Sequence, residues 1–348
     1  MSFAPQCLPT TIGSLPHTDV RQACELVVRF TPEIPCWPQL PRRSPRENMY
    51  VQFAEHLPGI AFEDGRVYVS RGPEFDSALE QLYTDYVVGD SAKYLPSEDH
   101  AAGLSEMVNL ARARGDWRVV LAKGQVTGPI SMGLQLTDSQ MRPVLYDDIA
   151  GDAVGRCLRL VASAQERALE QISPRTLTLL DEPYLHAIGS AIFSLHRDSV
   201  IRQLEEVLGG LRGMKGIHCC GNTDWSLVLS TPIDVLSFDA FNFGETLALY
   251  ADDVRAFLER DGVIAWGIVP NTLEALRTED VPSLVDTLLR LMNRLKEKGV
   301  PFDRLVAQSL VTPSCGLSGL QESDAECAMR LLAEISEEMR SRFFGRHR

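Results

Sequence analysis

The chain has 348 residues, 45% of them apolar and 23% charged, the proportions of a soluble globular protein able to bury a large core. With 34 basic and 47 acidic residues the formal charge is −13, which argues against a nucleic-acid or anionic-membrane partner. No run approaches the roughly 18–20 apolar residues that a bilayer span needs.

The opening "MSFAPQCLPTTIGSLP" lacks the basic and then apolar regions of a signal peptide, so a cytoplasmic location is expected. In that compartment Cys7, Cys24, Cys36, Cys157, Cys219, Cys220, Cys315 and Cys327 are read as thiols, not as a disulfide framework.

Taken in order, short β-rich runs alternate with longer helical patterns. "TTIGS" (10–14) precedes the helical "DVRQACELVVRF". "EIPCWPQL" (33–40) holds Pro35 and Pro38 and runs into Pro41, which predicts a rigid, irregular exit from a strand. Residues 40–117 are long for one connection, and within them "GIAFEDGRVYVS" (59–70) reads as a hairpin turning on Asp64 and Gly65. The segment is expected to be an insertion over the mouth of the fold.

"RVVLAKGQ" (118–125) and a helix over 145–172 lead to "TLTLLDEP" (176–183). The helical "DSVIRQLEEVLGGL" precedes "KGIHCCG" (215–221), and "DVLSFDAF" (234–241) and "GVIAWGIV" (262–269) follow. Apolar residues at i, i+3, i+4 and i+7 mark a helix over 281–299, ending on Lys and Gly. "RLVAQSLVTPSCG" (304–316) is the last strand, before the helical "ESDAECAMRLLAEISEEMRSRFF". Continuous runs such as "VLSF" and "VIAW" suit strands buried on both faces of a parallel sheet. Eight strands, each followed by helix, predict an α/β fold: one (β/α)8 TIM barrel over residues 1–348.

In such a barrel the C-terminal strand ends carry the chemistry. The sequence concentrates polar and soft-ligand residues there: Gly13 and Ser14, Asp181 and Glu182, His218 to Cys220, Asp239, and Cys315. Side chains alternate along a strand, so His218 and Cys220 share one side and Cys219 takes the other. With Cys315 from the eighth strand they match a zinc site of one nitrogen and two sulfurs. On spacing alone, packed thiols and an ordinary strand histidine remain open as the alternative. Trp37 and Gln39, at the end of the second strand, are placed to line a substrate pocket.

"TTIGSLPHT" (10–18), "TGPIS" (127–131), "LLDEPYL" (179–185), "HCC" (218–220) and "VTPSCGL" (311–317) occur in order at these strand ends. Together they resemble the catalytic C-terminal barrel of cobalamin-independent methionine synthase, in the superfamily that includes corrinoid-dependent thiol methyltransferases and uroporphyrinogen decarboxylase. The resemblance implies Zn2+ on His218, Cys220 and Cys315, binding a substrate thiol and lowering its pKa for methyl transfer. It implies Asp239 at the position of a fourth ligand, with a shorter side chain than the family's glutamate. It also implies that Ile12, Gly13, Ser14 and Asp181 hold the amino-acid part of the thiol, with homocysteine, methylated to methionine, the preferred acceptor.

The departures bear on the donor. The chain is expected to be a short form without the family's N-terminal half, Gln135 stands near the place of an aromatic that packs on folate, and neither the insertion glutamate nor a histidine after the seventh strand is matched. The expectation is therefore a methyl-corrinoid donor (methylcobalamin), free or on a corrinoid protein, in preference to methyl-folate. Two alternatives accompany this reading. One is a decarboxylase of an acidic tetrapyrrole, gripped by Arg42, Arg43 and Arg46; the other is a non-catalytic zinc- and thiol-binding relative.

Overall fold

The structure is a computed structural model describing residues 3–63, 66–188 and 195–345. Its strands, in chain order, are β1 (Leu8–Pro9), β2 (Ile60–Glu63), β3 (Arg66–Val69), β4 (Ala122–Thr127), β5 (Thr137–Asp138), β6 (Thr176–Asp181), β7 (Met214–Cys219), β8 (Val235–Phe238), β9 (Val263–Val269) and β10 (Ser309–Pro313). Among the described residues seven of them form one parallel sheet, in the order β1-β10-β9-β8-β7-β6-β4. Helices fill the long connections that parallel pairing requires.

The sheet curls. Leu8 on one edge strand and Leu121 beside the other belong to a single apolar cluster with Ile34, Leu177, Val235 and Leu310, separate from the larger core under the helices. Alternation continues this inner face toward the C-terminal strand ends: Leu177 and Leu179 lead to Asp181, and Val235 leads to Ser237 and Asp239. The inside of the curl is thus apolar at one end and polar at the other.

Residues 33–40 run between the two sheet edges without forming a regular strand. Cys36 bridges Lys123 of β4, and Gln39 bridges Ser14 beyond β1. Lys123 donates its backbone N–H to Pro35 O, and Gln39 donates to Gly13 O. Pro35 and Pro38 have no N–H to give, so the expected strand is reduced to isolated bridges.

Other expected boundaries shift for local reasons. The first strand lies at Leu8–Pro9, ahead of "TTIGS", and the backbone leaves the ladder toward Gly13, whose φ is +151°. The start of the last expected strand is a helix, Phe302–Ala307, because its buried Leu305 and Val306 suit either period. Elsewhere the helix starts are capped by side chains: Asp19 caps Val20–Phe30, Asp147 caps Asp148–Leu169, and Asp280 with Ser283 forms a capping box on Val281–Glu297.

Between 40 and 117 lie the short helix Met49–Gln52, the helices Phe75–Val88 and Glu98–Ala113, and the antiparallel pair β2–β3. The turn residues expected there, Asp64 and Gly65, fall outside the described residues. Thr127 Oγ1, at the end of β4, donates to Met49 O at 2.7 Å and ties the short helix to the polar end of the sheet.

No helix among the described residues is long and apolar enough to cross a membrane.

Candidate metal centre

His218, Cys220 and Cys315 converge. One ligand atom from each lies within 4.8 Å of the others, and among the described residues no other group of three or more His, Cys, Asp or Glu does this. Tetrahedral zinc with bonds of about 2.0–2.3 Å needs donors separated by about 3.5–3.8 Å, so a small contraction suffices.

Each donor has a local cause. His218 sits on β7 opposite Asp181 on β6 and Ser237 on β8. Its Nδ1 is 2.9 Å from Ser237 Oγ, which leaves Nε2 buried without a partner. An orphaned basic nitrogen beside two thiols is what a metal-ligating histidine presents when its other nitrogen is held. Cys220 follows β7, while Cys219 faces the outer core, fully buried, its thiol pushed up to about 12 by burial. Cys315 follows β10 in a loop anchored by Ser314, which donates its N–H to Val269 O and Oγ–H to Asn271 Oδ1.

The two sulfurs influence each other's charge in opposite directions. A hydrogen bond from Cys315 holds Cys220 far below the thiol range, at about 4, against burial and with help from His218. The same bond, and burial, push Cys315 upward. The direction of the Cys220 shift favours the thiolate, the ligand form of cysteine.

Asp239 stands apart from this trio. It caps the helix Ala240–Leu247, taking the Asn242 N–H at 2.9 Å on Oδ1 and the Asn242 amide at 2.7 Å on Oδ2. Each oxygen accepts one hydrogen bond at the helix start, and the expected fourth ligand lies outside the converging group of three.

Asp181 ends β6 with Oδ1 buried and without a hydrogen-bond partner. Burial pushes its carboxyl up from 3.8 to about 6, opposed by His218 and Lys123. The capping of the neighbouring helix falls to the next residue. Glu182, fully buried, accepts from Ile130 N, Ser131 N and Ser131 Oγ at the start of the helix Pro129–Gln135. Burial still pushes the Glu182 carboxyl up to about 7.

Ile12, Gly13 and Ser14 form the corner beside Cys315. A Cβ on Gly316 would stand 2.1 Å from Ser14 Oγ. Among the described residues the N–H groups of Gly13 and Ser14 have no acceptor. Gln39 also reaches this corner: its Oε1 would lie 2.7 Å from a Cβ on Gly13, and its Nε2 donates to Gln52 Oε1. Trp37 does not reach it. It is fully buried, with its indole N–H on Gln165 Oε1 of the helix Asp148–Leu169, and packs on the helix side of the sheet.

Two of the three arginines of the decarboxylase alternative are engaged elsewhere. Arg43 pairs with Glu47 and donates to the carbonyls of Glu98 and Asp99, and Arg46 pairs with Asp99. Two residues escaped sequence reading: Ser237 and Lys123. A lysine inside the strand run "LAKGQ" was the available signal, since such a residue must find a buried partner. Tyr50 also borders the site, edge-on to Tyr184 with centroids 6.5 Å apart, and its phenol is raised by burial and by nearby Cys220 and Asp181.

The curled parallel sheet with its polar C-terminal edge is an α/β, TIM-like fold, and solved structures share it. A B12-independent methionine synthase from Shewanella sp. W3-18-1, in complex with selenomethionine, matches 97% of this chain and 98% of its own at 16% identity and a TM-score of 0.61. A putative vitamin-B12 independent methionine synthase from Listeria monocytogenes matches at 13% identity and a TM-score of 0.58, over 92% of this chain and 86% of its own. A methyltransferase from Methanosarcina mazei matches at 12% identity and a TM-score of 0.54, over 94% of both chains. At these identities the likeness is one of fold. No protein-family model and no curated protein matches the chain.

Proposed function

We propose that this chain is a zinc-dependent methyltransferase acting on a small amino-acid thiol, with homocysteine the preferred acceptor. The observation that carries the reading is the convergence of His218, Cys220 and Cys315 at the C-terminal edge of the sheet. In this reading the chain is a single catalytic domain on a (β/α)8 barrel, with residues 33–40 as its irregular eighth stave and 40–117 as an insertion over the mouth.

Bound zinc would supply Lewis acidity, making an incoming thiol a thiolate at neutral pH. The protein's own groups do the rest. Ser237 fixes the His218 ring so that Nε2 is the ligating nitrogen. Asp181 Oδ1, an acceptor without a donor, suits a substrate ammonium. The unpaired N–H groups of Gly13 and Ser14 suit a substrate carboxylate.

Support for the donor is thinner on the corrinoid side. Two of the three similar structures are titled B12-independent, and nothing in the site speaks for a corrinoid or a corrinoid protein. The decarboxylase reading is weakened because two of its three arginines, Arg43 and Arg46, already hold carboxylates of the chain.

The test is metal content of protein purified under reducing conditions, followed by methyl transfer to homocysteine from methylcobalamin and from methyl-folate in parallel. About one zinc per chain is expected, lost in Cys315→Ser and kept in Cys219→Ser. A zinc-free wild type would overturn the proposal. Zinc and thiol binding without transfer from any donor would favour the non-catalytic relative.

A further inference from the structure

Lys123 is fully buried inside the curl, and the chemistry above uses it only as a positive charge that favours the Asp181 carboxylate. Its Nζ donates to the Ile12 carbonyl at 2.9 Å and to Cys36 Sγ at 3.3 Å. Among the described residues no carboxylate lies within 4.0 Å of it. An ammonium buried on a carbonyl and a thiol is costly unless an anion answers it.

The Ile12 carbonyl and the Gly13 N–H are two ends of one peptide unit. A cation on the oxygen draws electron density toward it and makes the N–H a stronger donor. That N–H has no acceptor among the described residues, and neither does the next one, at Ser14. The corner is held in place. Gly13 has a φ of +151°, and a Cβ there would stand 2.7 Å from Gln39 Oε1 and 2.8 Å from the Gln125 amide. Through Ser14 it abuts Gly316, next to Cys315.

We infer that Lys123 is a positioning residue that sets substrate specificity: it polarises the Ile12–Gly13 peptide so that the Gly13 and Ser14 N–H groups select thiols carrying a carboxylate. This rests on the proposed reading of the site as one for amino-acid thiols. Lys123 acts through the peptide and need not touch the substrate itself.

The experiment compares zinc-loaded wild type, Lys123→Met and Lys123→Gln in calorimetric titrations with homocysteine and with 3-mercaptopropylamine, which keeps the thiol and amine but has no carboxylate. Wild type is expected to prefer homocysteine. Lys123→Met should weaken homocysteine binding about tenfold, the effect of one charge-assisted hydrogen bond, and leave the amine thiol within about twofold. Lys123→Gln, which can still donate to Ile12 O, should recover part of the loss. Zinc content should stay the same in all three. In metal-free protein the Gly13 amide proton should move upfield in Lys123→Met. Equal weakening of both thiols with zinc retained, or unchanged homocysteine binding, overturns the inference alone. Zinc-loaded wild type that binds neither thiol overturns the proposed function and this inference with it.

Discussion

His218 and Ser237 stand opposite each other on β7 and β8, with Nδ1 2.9 Å from Oγ. That contact decides which ring nitrogen remains for a metal, because a donor at Nδ1 leaves the lone pair on Nε2. Ser237→Ala should therefore lower zinc affinity by about 10–100-fold, the usual cost of losing such an orienting partner. Competition with a chromogenic chelator measures it. Unchanged affinity would mean that the ring is held by packing alone.

Asp181 gives a prediction with a defined sign. In the metal-free protein its carboxyl is raised from 3.8 to about 6 by burial. The native state then holds this proton more tightly than the unfolded chain, so the group's contribution to stability falls as pH rises through that window. Asp181→Asn should flatten the fall between pH 3.8 and about 6 in thermal unfolding. At pH 7 it should stabilise the protein by on the order of 1–3 kcal/mol while weakening amino-thiol binding. A variant less stable than wild type at pH 7 would show that Asp181 is satisfied in the native state.

Gly13→Ala tests the corner between Gln39 and Gln125. The backbone at φ +151° disfavours a side chain, and the new Cβ would meet both amides within 2.8 Å. The expected loss is about 1–3 kcal/mol in urea unfolding, with reduced thiol affinity and retained zinc. Full stability would mean that the loop relaxes freely.

Trp37→Phe separates packing from binding. It removes the indole N–H that Gln165 Oε1 accepts and leaves a buried acceptor unpaired. A cost of about 1–3 kcal/mol in stability is expected, with thiol affinity unchanged. A large rise in the thiol dissociation constant would return Trp37 to the pocket.

What could be read along the chain was local and periodic. The opposite facing of Cys219 and Cys220 follows from the two-residue period of a strand, and the helix over 281–299 from its apolar spacing. The same local rules misplaced the boundary at 304–308, where an apolar run fits either period, and took 33–40 for a full strand despite its prolines.

The sequence by itself determined an alternating strand and helix order, and the residues His218, Cys220 and Cys315 standing at strand ends. Only the tertiary structure decided their partners. Asp239 caps a helix with both oxygens in hydrogen bonds, Trp37 turns to the helices, and Lys123 lies inside the curl against Ile12. Each of those outcomes depends on a group far away in sequence or on competition for one side chain's few hydrogen bonds. Neither is encoded in the spacing of neighbours, because a polar atom's partner is chosen by whichever donor or acceptor the fold brings within reach.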